Sequence, residues 1–488
     1  MKIPPIFVVV IWLGFLFAAS TCFAQMFTVT DLGTLGGTES AAAGINASGQ
    51  VAGWSQVSGN TGTHAFRTAP NRSIHPATDD LGTLGGECQN LVSSGINAFG
   101  QVVGYCWGAF NHAFRTAPNR PINPAHDDLG TLGAPVTEAL GINNSGQVVG
   151  MSDTGTPDLL TFHAFRTAPH RPINPATDDL GTLGGTESSA AGINDPGQVV
   201  GWSFTGGMVH AFRTAANKPI DPATDDLGTL GGANSQAVAI NDFGQVAGWA
   251  LSGGNTVSHA FRTAPNRAVN PLTDDLGSLG GGYSSAAAIN NYGQVVGLAN
   301  LPGGTTQHAF LYGSGFMRDL NDLISPGSGC ELVSAAGIND AGQIAANGNC
   351  RGQMHGVLLT PIYKAFVQPP IDADGSSVFS AERRSIPIRF AVTQYGVPSC
   401  ALPATIAVTK ASHGKLVSID EDIYSTPADN GSEFRITSAC LYVYHLAASS
   451  LGVGTYRVDI SIDGILIGPA VFALESHGTC SHPGDKGD

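Results

Sequence analysis

The sequence predicts an all-β fold, in which seven similar units form a ring of small sheets and a separate two-sheet sandwich follows. Three observations lead to this prediction. Three short sequence strings recur about every 49 residues, the two ends of the repeated region complement each other, and the region after the repeats alternates apolar and polar residues. No segment shows helical periodicity over ten residues, which argues against a helical fold.

The composition restricts the class of protein before any motif is considered. The chain has 488 residues, of which only 12% are charged and 65 are glycine, so it is rich in turns and long enough for two or more domains. Its formal net charge of −15 opposes binding to nucleic acid, which needs clustered Lys and Arg. We therefore expect an acidic protein without a nucleic-acid partner.

The first 24 residues have the features of a secretory signal. Lys2 precedes an apolar run over 6–19 that is short for a membrane span, and a small residue, Ala24, precedes Gln25. We expect a signal peptide over 1–24 and no transmembrane span after its removal, with an uncleaved anchor as the alternative. The exported protein is expected outside the cell or at its surface, with the periplasm as the alternative location.

The recurring strings divide each unit into four short strands, a to d. The string G/A-I-N-x-x-G-Q forms the turn from strand a to strand b, H-A-F belongs to strand c, and D-L-G-T-L belongs to strand d. The first string contains Asn46, Asn97, Asn143, Asn194, Asn241, Asn290 and Asn339. The second begins at His64, His112, His163, His210, His259 and His308, with a weaker copy at His355. The third begins at Asp31, Asp80, Asp128, Asp179, Asp226 and Asp275, with a degenerate copy at Asp319. Four strands in about 49 residues are typical of a β-propeller blade.

The two ends of the repeated region are complementary. The region opens on a spare d strand, 27–35, and closes on a c strand, 355–359, whose own unit lacks a d strand. We therefore predict a seven-bladed β-propeller over 26–362 that is closed by its N-terminal strand, which also removes exposed sheet edges. An open β-solenoid is the alternative, although a solenoid has no need for complementary ends.

The three strings resemble those of the bacterial extracellular HAF-repeat family, and the layout of the units is similar to that of kelch-type propellers. The resemblance covers about 26–362, with all three strings in order. It implies an exported repeat protein, and it implies no particular activity.

Loop lengths indicate which face of the ring binds a ligand. The offset from His to the next Asp is 16 in five units, whereas the offset from Gln to His varies from 11 to 16. If strand a is innermost, the variable b–c loops share one face, here called the top face, with the d–a loops. The a–b turns and c–d connections share the bottom face. Because variable loops on a rigid scaffold commonly carry binding sites, the top face is the predicted binding surface. The candidate ligand-binding residues are Trp107, Phe110, Tyr283, Glu39, Glu138, Glu187 and Glu331.

These residue types favour a binding function. Aromatic faces and carboxylates can hold sugars, because rings stack on C–H groups and carboxylates accept hydroxyl hydrogen bonds. We therefore expect a secreted or cell-surface, non-enzymatic binding protein, whose partner is a glycan or another surface protein. Trp54, Trp202 and Trp249 share one register, four residues after Gln, and are expected to pack between blades.

Two other functions remain open. In the first, a carbohydrate-active enzyme would pair Glu39 with Glu331 or Glu138 with Glu187, and such pairs would also suit calcium. In the second, the chain is a structural spacer. We otherwise predict no cofactor, no metal site and no catalytic residue. The seven His residues would be spread around the ring, too far apart to share a metal, so each is expected to lock its own blade.

The cysteines predict disulfides and hence an oxidising compartment. Cys88 and Cys106 flank the hairpin around Asn97, and antiparallel pairing would bring them together. Cys330 and Cys350 flank the equivalent hairpin around Asn339 in the same way, and Cys400 is expected to pair with Cys440. Cys480 is then left without a partner, either free or available for an intermolecular bond.

The region 365–475 is predicted to be an Ig-like β-sandwich. Ile386, Ile388, Phe390 and Val392 alternate along one strand, and Asp463-Gly464 is typical of a hairpin turn. Residues 385–390 and 454–458 resemble C-terminal sandwich modules of bacterial surface proteins. The remaining residues, 476–488, form a polar tail.

Overall fold

The protein is all-β in the part of the chain that the structure describes. The computed structural model describes residues 25–476 except 86–87, 89, 108–110, 156–160, 373–375, 382–384, 401, 403, 413–414, 418–434, 438, 449–450 and 463–464. The predicted signal peptide, Phe110, Asp463-Gly464 and Cys480 therefore lie outside the described residues. None of the helices within the described residues has the length and apolar character needed to cross a bilayer.

The repeated region forms strands β1–β24, which run in the order expected from the three strings. Their bounds are β1 Phe27–Asp31, β2 Gly36–Ile45, β3 Val51–Val57, β4 Thr63–Arg67, β5 Asn90–Ile96, β6 Val102–Trp107, β7 His112–Arg115, β8 Thr137–Ile142, β9 Val148–Asp153, β10 Phe162–Arg166, β11 Ser188–Ile193 and β12 Val199–Phe204. They continue with β13 Val209–Arg213, β14 Asp226–Gly228, β15 Gly231–Ile240, β16 Val246–Ser252, β17 Ser258–Arg262, β18 Ser284–Ile289, β19 Val295–Asn300, β20 Gln307–Gly313, β21 Phe316–Asp319, β22 Cys330–Ile338, β23 Ile344–Cys350 and β24 Gln353–Pro361. The helical segments between them are short: α1 Pro76–Asp79 and the 3₁₀ turns Ser58–Asn60, Leu320–Leu323 and Pro326–Ser328.

Each repeat forms a small antiparallel sheet from its a, b and c strands. The a–b–c groups are β2-β3-β4, β5-β6-β7, β8-β9-β10, β11-β12-β13, β15-β16-β17, β18-β19-β20 and β22-β23-β24. The first two groups are joined by one parallel pair, Thr63 with Asn90. A fourth strand is present where β14, β21 and β1 complete their sheets.

The d strands are shorter than the sequence predicts. In four repeats the d segment forms only an isolated bridge, between the Phe of H-A-F and the Asp of D-L-G. The glycine two residues after this Asp has a positive φ, for example 75° at Gly82 and 74° at Gly130, which ends extended pairing. The D-L-G string therefore turns the chain soon after it begins to pair.

The first strand of the chain completes the sheet of the last repeat. β1 pairs antiparallel with β24, from Phe27 opposite Pro361 to Asp31 opposite Val357. The last repeat also contacts the first through side chains: Asn339 Nδ2 donates to the Asn46 carbonyl at 3.0 Å. The N-terminal and C-terminal ends of the repeated region are thus held together by main-chain and side-chain bonds.

The hydrophobic cores lie between neighbouring repeats. One of them combines Val103 and Leu129 of the second repeat with Val148 and Phe165 of the third. The Phe of H-A-F is fully buried in all six repeats that have it. Because each repeat alone exposes this face, the repeats stabilise one another by stacking.

The C-terminal part forms two sheets around a common core. Its strands are β25 Tyr363–Gln368, β26 Val378–Ser380, β27 Ser385–Gln394, β28 Val397–Ser399, β29 Ala404–Ser412, β30 Lys415–Val417, β31 Arg435–Ile436, β32 Tyr442–Ala447, β33 Gly454–Ile462 and β34 Ile465–Glu475. One sheet has the order β25-β27-β32-β31, with β28 beside β27, and the other has the order β26-β34-β33-β29-β30. Ile386 and Ile388 of the first sheet share a core with Val458 and Phe472 of the second. The alternation predicted along β27 is therefore a buried face.

Candidate functional site

The recurring His and Asp residues form seven pairs, each of which connects strand c to the d segment that follows it in the sheet. In every repeat the Nδ1 of the c-strand His lies 2.5–3.0 Å from a carboxylate oxygen of the Asp in the d segment. The same Asp also accepts a main-chain N–H two residues later, as Asp179 does from Gly181 at 2.8 Å. In the last repeat the partner of His355 is Asp31 at 2.8 Å, so this pair joins the two ends of the region. These residues lock strand d to strand c.

One of these pairs provides a pH-dependent test of their structural role. Burial alone would raise the pKa of Asp179, but the hydrogen bonds from His163 and Gly181 outweigh it and lower that pKa below its usual value. The stabilisation is therefore present above the usual Asp pKa of about 3.9 and is lost as the pH falls through the lower, folded-state pKa. We expect Asp179→Asn to lower the free energy of unfolding by about 1 kcal/mol near pH 7, because the pair is partly exposed.

Chemical denaturation at pH 7 and at pH 3 measures this effect. The difference between wild type and Asp179→Asn should shrink at pH 3. Glu475→Gln, at the exposed end of β34, serves as the control and should cause little change at either pH. A difference that grows on acidification would contradict the assignment.

The seven recurring asparagines form a continuous circle of hydrogen bonds. Each Asn Nδ2 donates to the main-chain carbonyl of the equivalent Asn in the next repeat, at 3.0–3.2 Å, and the last donates to the first. Each Asn also bonds its own repeat, for example Asn97 Nδ2 to Gln101 Oε1 at 3.0 Å. The asparagine is thus both a turn residue and a link between repeats.

The circle surrounds a cavity of about 280 Å³. Its wall consists of the Ile, the Asn and the following residue from each of the seven repeats. The following residues are Ala47, Ala98, Asn144, Asp195, Asp242, Asn291 and Asp340. Several of them accept the main-chain N–H of the preceding repeat, as Asp195 does from Asn144 at 2.8 Å. Their side-chain carboxylate and amide oxygens therefore continue the contacts between repeats on the bottom face.

The recurring arginines of strand c also connect repeats. Arg67 Nη1 donates to the Gly100 carbonyl at 3.0 Å, and Arg213 Nη1 donates to the Arg267 carbonyl at 2.9 Å. Burial lowers the pKa of Arg67, Arg115, Arg166, Arg213 and Arg262. These side chains belong to the scaffold, where each reaches the a–b turn or c–d connection of the next repeat.

Loops that were assigned to the same face contact each other. In the first repeat, Thr38 of the d–a segment donates to Asn60 of the b–c loop at 3.1 Å. On the opposite face, the a–b turn lies against the c–d connection, and Asn71 N donates to the Gly49 carbonyl at 2.9 Å. The a-strand ends line the central cavity, so strand a is innermost.

The predicted glutamates lie at the beginnings of a strands, and each has its own surroundings. Glu39 is exposed in β2 and accepts from Gln56 Nε2 at 3.2 Å. Glu138 is half-buried in β8 and accepts from Asn111 Nδ2 at 2.8 Å. Glu331, in β22, lies 3.4 Å from His308 Nε2. Glu187 directly precedes β11 and is half-buried. The described bonds thus assign separate partners to Glu39, Glu138 and Glu331.

The predicted aromatic residues occupy two kinds of position. Tyr283 directly precedes β18, bridges to Ser258 and is 36% exposed. Trp107 ends β6, opposite Asn90. Trp54, Trp202 and Trp249 lie within b strands and are half-buried. They belong to what we call the b-strand row, which consists of the residues four positions after the recurring Gln. In the last repeat this residue is Asn347, which bonds the main chain of Ala42 in the neighbouring a strand at 2.7 and 3.1 Å. Side chains of the row therefore face the next repeat.

Three disulfides join the cysteines in the pairs expected from the sequence. They are Cys88–Cys106, Cys330–Cys350 and Cys400–Cys440. The first two link the beginning of an a strand to the end of its b strand, at the top face. Among the described residues, Asp31 with Cys330 and Cys350 is the one group of three potential metal ligands that lie within 4.8 Å of one another. Because both sulfurs are in a disulfide, this group lacks the thiolates that bind metals.

The C-terminal part packs against the bottom face. Arg457, in β33, is buried and donates through Nη1 to the Asn291 carbonyl at 3.2 Å, with its guanidinium carbon 5.2 Å from the centre of the Tyr292 ring. A cavity of about 160 Å³ lies between the two parts, lined by residues such as Asp340 and Lys364. The bottom face is therefore partly covered near the sixth and seventh repeats.

The sequence analysis missed the residues that face Glu138 and those that join the two parts. Tyr105 and Asn111 belong to the second repeat, whereas Glu138 begins the third, so no contiguous motif links them. Alignment of the seven repeats also shows that Glu138, already a candidate from the sequence, is the one charged residue at its position. Arg457 gave no comparable signal, because its contacts are with a distant part of the chain.

No family model matches this chain, and no curated protein is significantly similar to it. The geometry of the described residues is therefore the basis for the functional proposal.

Proposed function

We propose that the chain is an exported, non-enzymatic binding protein of the extracellular HAF-repeat type. In this proposal, residues 26–362 form a closed seven-bladed β-propeller, residues 365–475 form an Ig-like sandwich, and the ligand binds the top face. The location is extracellular or at the cell surface, with the periplasm as the alternative. The signal-like first 24 residues and the three disulfides favour export.

The hydrogen-bond pattern supports a closed ring. Seven equivalent asparagines bond to one another in a circle that returns from Asn339 to Asn46. An open array would leave one member without its neighbour. The Tyr456 hydroxyl donates to the Gly452 carbonyl at 3.0 Å, which is similar to the tyrosine corner of Ig-like sandwiches and supports that assignment.

The binding proposal depends mainly on one observation: the recurring polar residues are engaged in bonds within the protein, whereas the candidate ligand-binding residues of the top face do not recur in every repeat. The His, Asp, Asn and Arg residues that recur in the repeats are engaged in bonds within or between repeats. The C-terminal part covers some of the bottom face through Arg457. The non-recurring residues of the top face are left to recognise a ligand, as is common for variable loops on a rigid scaffold.

A binding role is favoured over acid–base catalysis by the surroundings of the glutamates. A glycosidase needs two carboxylates that face one substrate bond. Glu39 accepts a hydrogen bond from Gln56 and Glu138 accepts one from Asn111, whereas Glu331 lies 3.4 Å from His308, so each of these three carboxylates has a different neighbour. A carbohydrate-active enzyme and a structural spacer remain the alternatives that the following experiment separates from binding.

A glycan array with the wild-type protein, followed by affinity measurements on two aromatic variants, tests the proposal. Tyr283→Ala, on the top face, should weaken binding to the best array ligand at least tenfold, equivalent to about 1.4 kcal/mol. Phe99→Ala is the matched control, because Phe99 is 56% exposed on a bottom-face a–b turn, and it should leave the affinity unchanged. The reverse pattern would place the site on the bottom face. Turnover of a bound glycan would favour the enzyme, and the absence of any bound glycan would contradict a glycan ligand and leave a protein partner or the spacer role.

A further inference from the structure

Glu138 differs from its counterparts in the other repeats. It lies five residues before the recurring Asn, and it pairs with Met151 in the neighbouring b strand. The residues at the same position in the other six repeats are uncharged: Ala41, Val92, Ser189, Gln236, Ser285 and Ser334. A half-buried charge costs stability unless it is paired. Because the six other repeats form the same strand without it, the strand does not require this charge.

The described neighbours of Glu138 provide a hydrogen bond but no opposite charge. Asn111 Nδ2 donates to Glu138 Oε1 at 2.8 Å, and the Asn111 carbonyl accepts from Thr137 N at 2.8 Å. Burial raises the pKa of the Glu138 carboxyl, and the bond from Asn111 partly offsets this effect. Within the described part of the chain, Glu138 forms no ion pair with Lys, Arg or His. The carboxylate is therefore positioned and, among the described residues, lacks a counter-charge.

Tyr105 extends this cluster across the boundary between the second and third repeats. It occupies the b-strand row whose members face the next repeat, and both burial and the charge of Glu138 raise its pKa. The Asn111 amide N–H bonds one oxygen of Glu138. The other Glu138 oxygen and the Asn111 side-chain oxygen are hydrogen-bond acceptors, and the face of the Tyr105 ring is electron-rich. These groups all attract a cation that can donate hydrogen bonds.

The surroundings of the cluster favour a rigid site and attract positive charge. Tyr105 is adjacent in sequence to Cys106, whose disulfide to Cys88 ties together the strands of this repeat at the top face. Cross-linking before binding lowers the cost of ordering the site. The net charge of −15 also raises the local concentration of cationic ligands around the protein.

We propose that Tyr105, Asn111 and Glu138 form a subsite for a protonated amine of an amino-sugar glycan. This inference rests on the proposed function, because it takes the top face as the binding surface. A glycan is favoured over a lysine-containing protein because Trp54, in the adjacent first repeat, occupies the same row as Tyr105 and is only half-buried. The exposed part of its ring can stack on the C–H groups of a neighbouring sugar.

Calorimetric titration with two hexasaccharides tests the subsite. One is the hexamer of glucosamine, and the other is the hexamer of N-acetylglucosamine, which has the same backbone without the charge. At about pH 6, between the usual pKa of a Glu carboxyl and that of an amine, wild type should bind the glucosamine hexamer at least tenfold more tightly. Glu138→Gln, which retains the shape and the bond to Asn111, should bind both hexamers with similar affinity.

Glu475→Gln is the control for overall charge, and it should keep the wild-type preference. Equal binding of both hexamers by wild type, no binding of either, or an unchanged preference in Glu138→Gln would overturn the subsite. Tighter binding of a hexalysine peptide, also lost in Glu138→Gln, would overturn the glycan assignment. If the subsite fails while Tyr283→Ala still weakens an array ligand, the proposed function stands without it. A circular dichroism spectrum and melting curve matching those of wild type exclude misfolding of the variant.

Discussion

Deletion of residues 26–31 is expected to unfold the repeated region rather than to release one loose strand. Phe27 is only 1% exposed, and Met26 bonds the main chain at two places, to Leu323 and Ile362. Asp31 is the partner of His355. These contacts join the beginning of the region to its end, so their loss would expose the core of the last repeat and the edge of β24.

A single substitution provides a milder form of the same test. Phe27→Ala should lower the free energy of unfolding by about 3–5 kcal/mol, because it removes a fully buried aromatic side chain. That is a large part of the about 5–15 kcal/mol that stabilises a typical domain. The deletion also removes the β1–β24 hydrogen bonds, so it should lower the free energy of unfolding by more than Phe27→Ala does. Denaturant titration followed by circular dichroism measures both effects.

Phe316→Ala is the matched control for this prediction. Phe316 also lies in a d strand, β21, but it is 65% exposed, so its removal should change the stability by less than about 0.5 kcal/mol. Equal effects of the two Phe substitutions, or an unchanged melting temperature after the deletion, would contradict the role of β1 in holding the two ends together.

Features within one repeat were predictable because they depend on short sequence distances. The 16-residue offset from His to Asp reflects a direct bond, as between His163 and Asp179. The symmetric placement of Cys330 and Cys350 around a hairpin reflects an antiparallel register in which the two residues face each other. In both cases the chain reverses between the partners, so spacing and turn residues determine the contact.

Features between repeats were less accessible from the sequence. The recurrence of Asn97 indicated a turn, but its second amide hydrogen bonds the carbonyl of Asn143. That acceptor is a main-chain group, which every residue carries, so no sequence pattern identifies it. The same holds for Arg67, whose guanidinium bonds another main-chain acceptor, the Gly100 carbonyl of the next repeat. The cluster around Glu138 likewise depends on how the second and third repeats stack.

The second large effect is expected where the two parts of the protein meet. Arg457 Nη2 lies 2.6 Å from Asp459 Oδ2, and Arg457 is 8% exposed. The guanidinium also donates to the Asn291 carbonyl and lies over Tyr292 of the bottom face. Burial raises the pKa of Asp459, and the positive charge of Arg457 opposes this effect. The two charges therefore depend on each other and on the contact between the two parts.

Arg457→Met should lower the free energy of unfolding by about 3–5 kcal/mol near pH 7, because removing one partner leaves the other charge buried and unpaired. The double variant Arg457→Met/Asp459→Leu should regain most of this loss. Arg389→Met is the control, because Arg389 is exposed on β27 and its removal should have little effect.

The pH dependence of the loss distinguishes an unpaired carboxylate from a packing defect. Without Arg457, the pKa of Asp459 should rise further, so the folded state binds a proton that the unfolded state has released. Stability then falls as the pH rises from the unfolded-state pKa of about 3.9 towards the higher, folded-state pKa. The deficit of Arg457→Met relative to wild type should therefore be smaller at pH 4 than at pH 7. An equal deficit at both pH values, or a double variant no more stable than the single one, would show that lost packing rather than the stranded charge causes the effect.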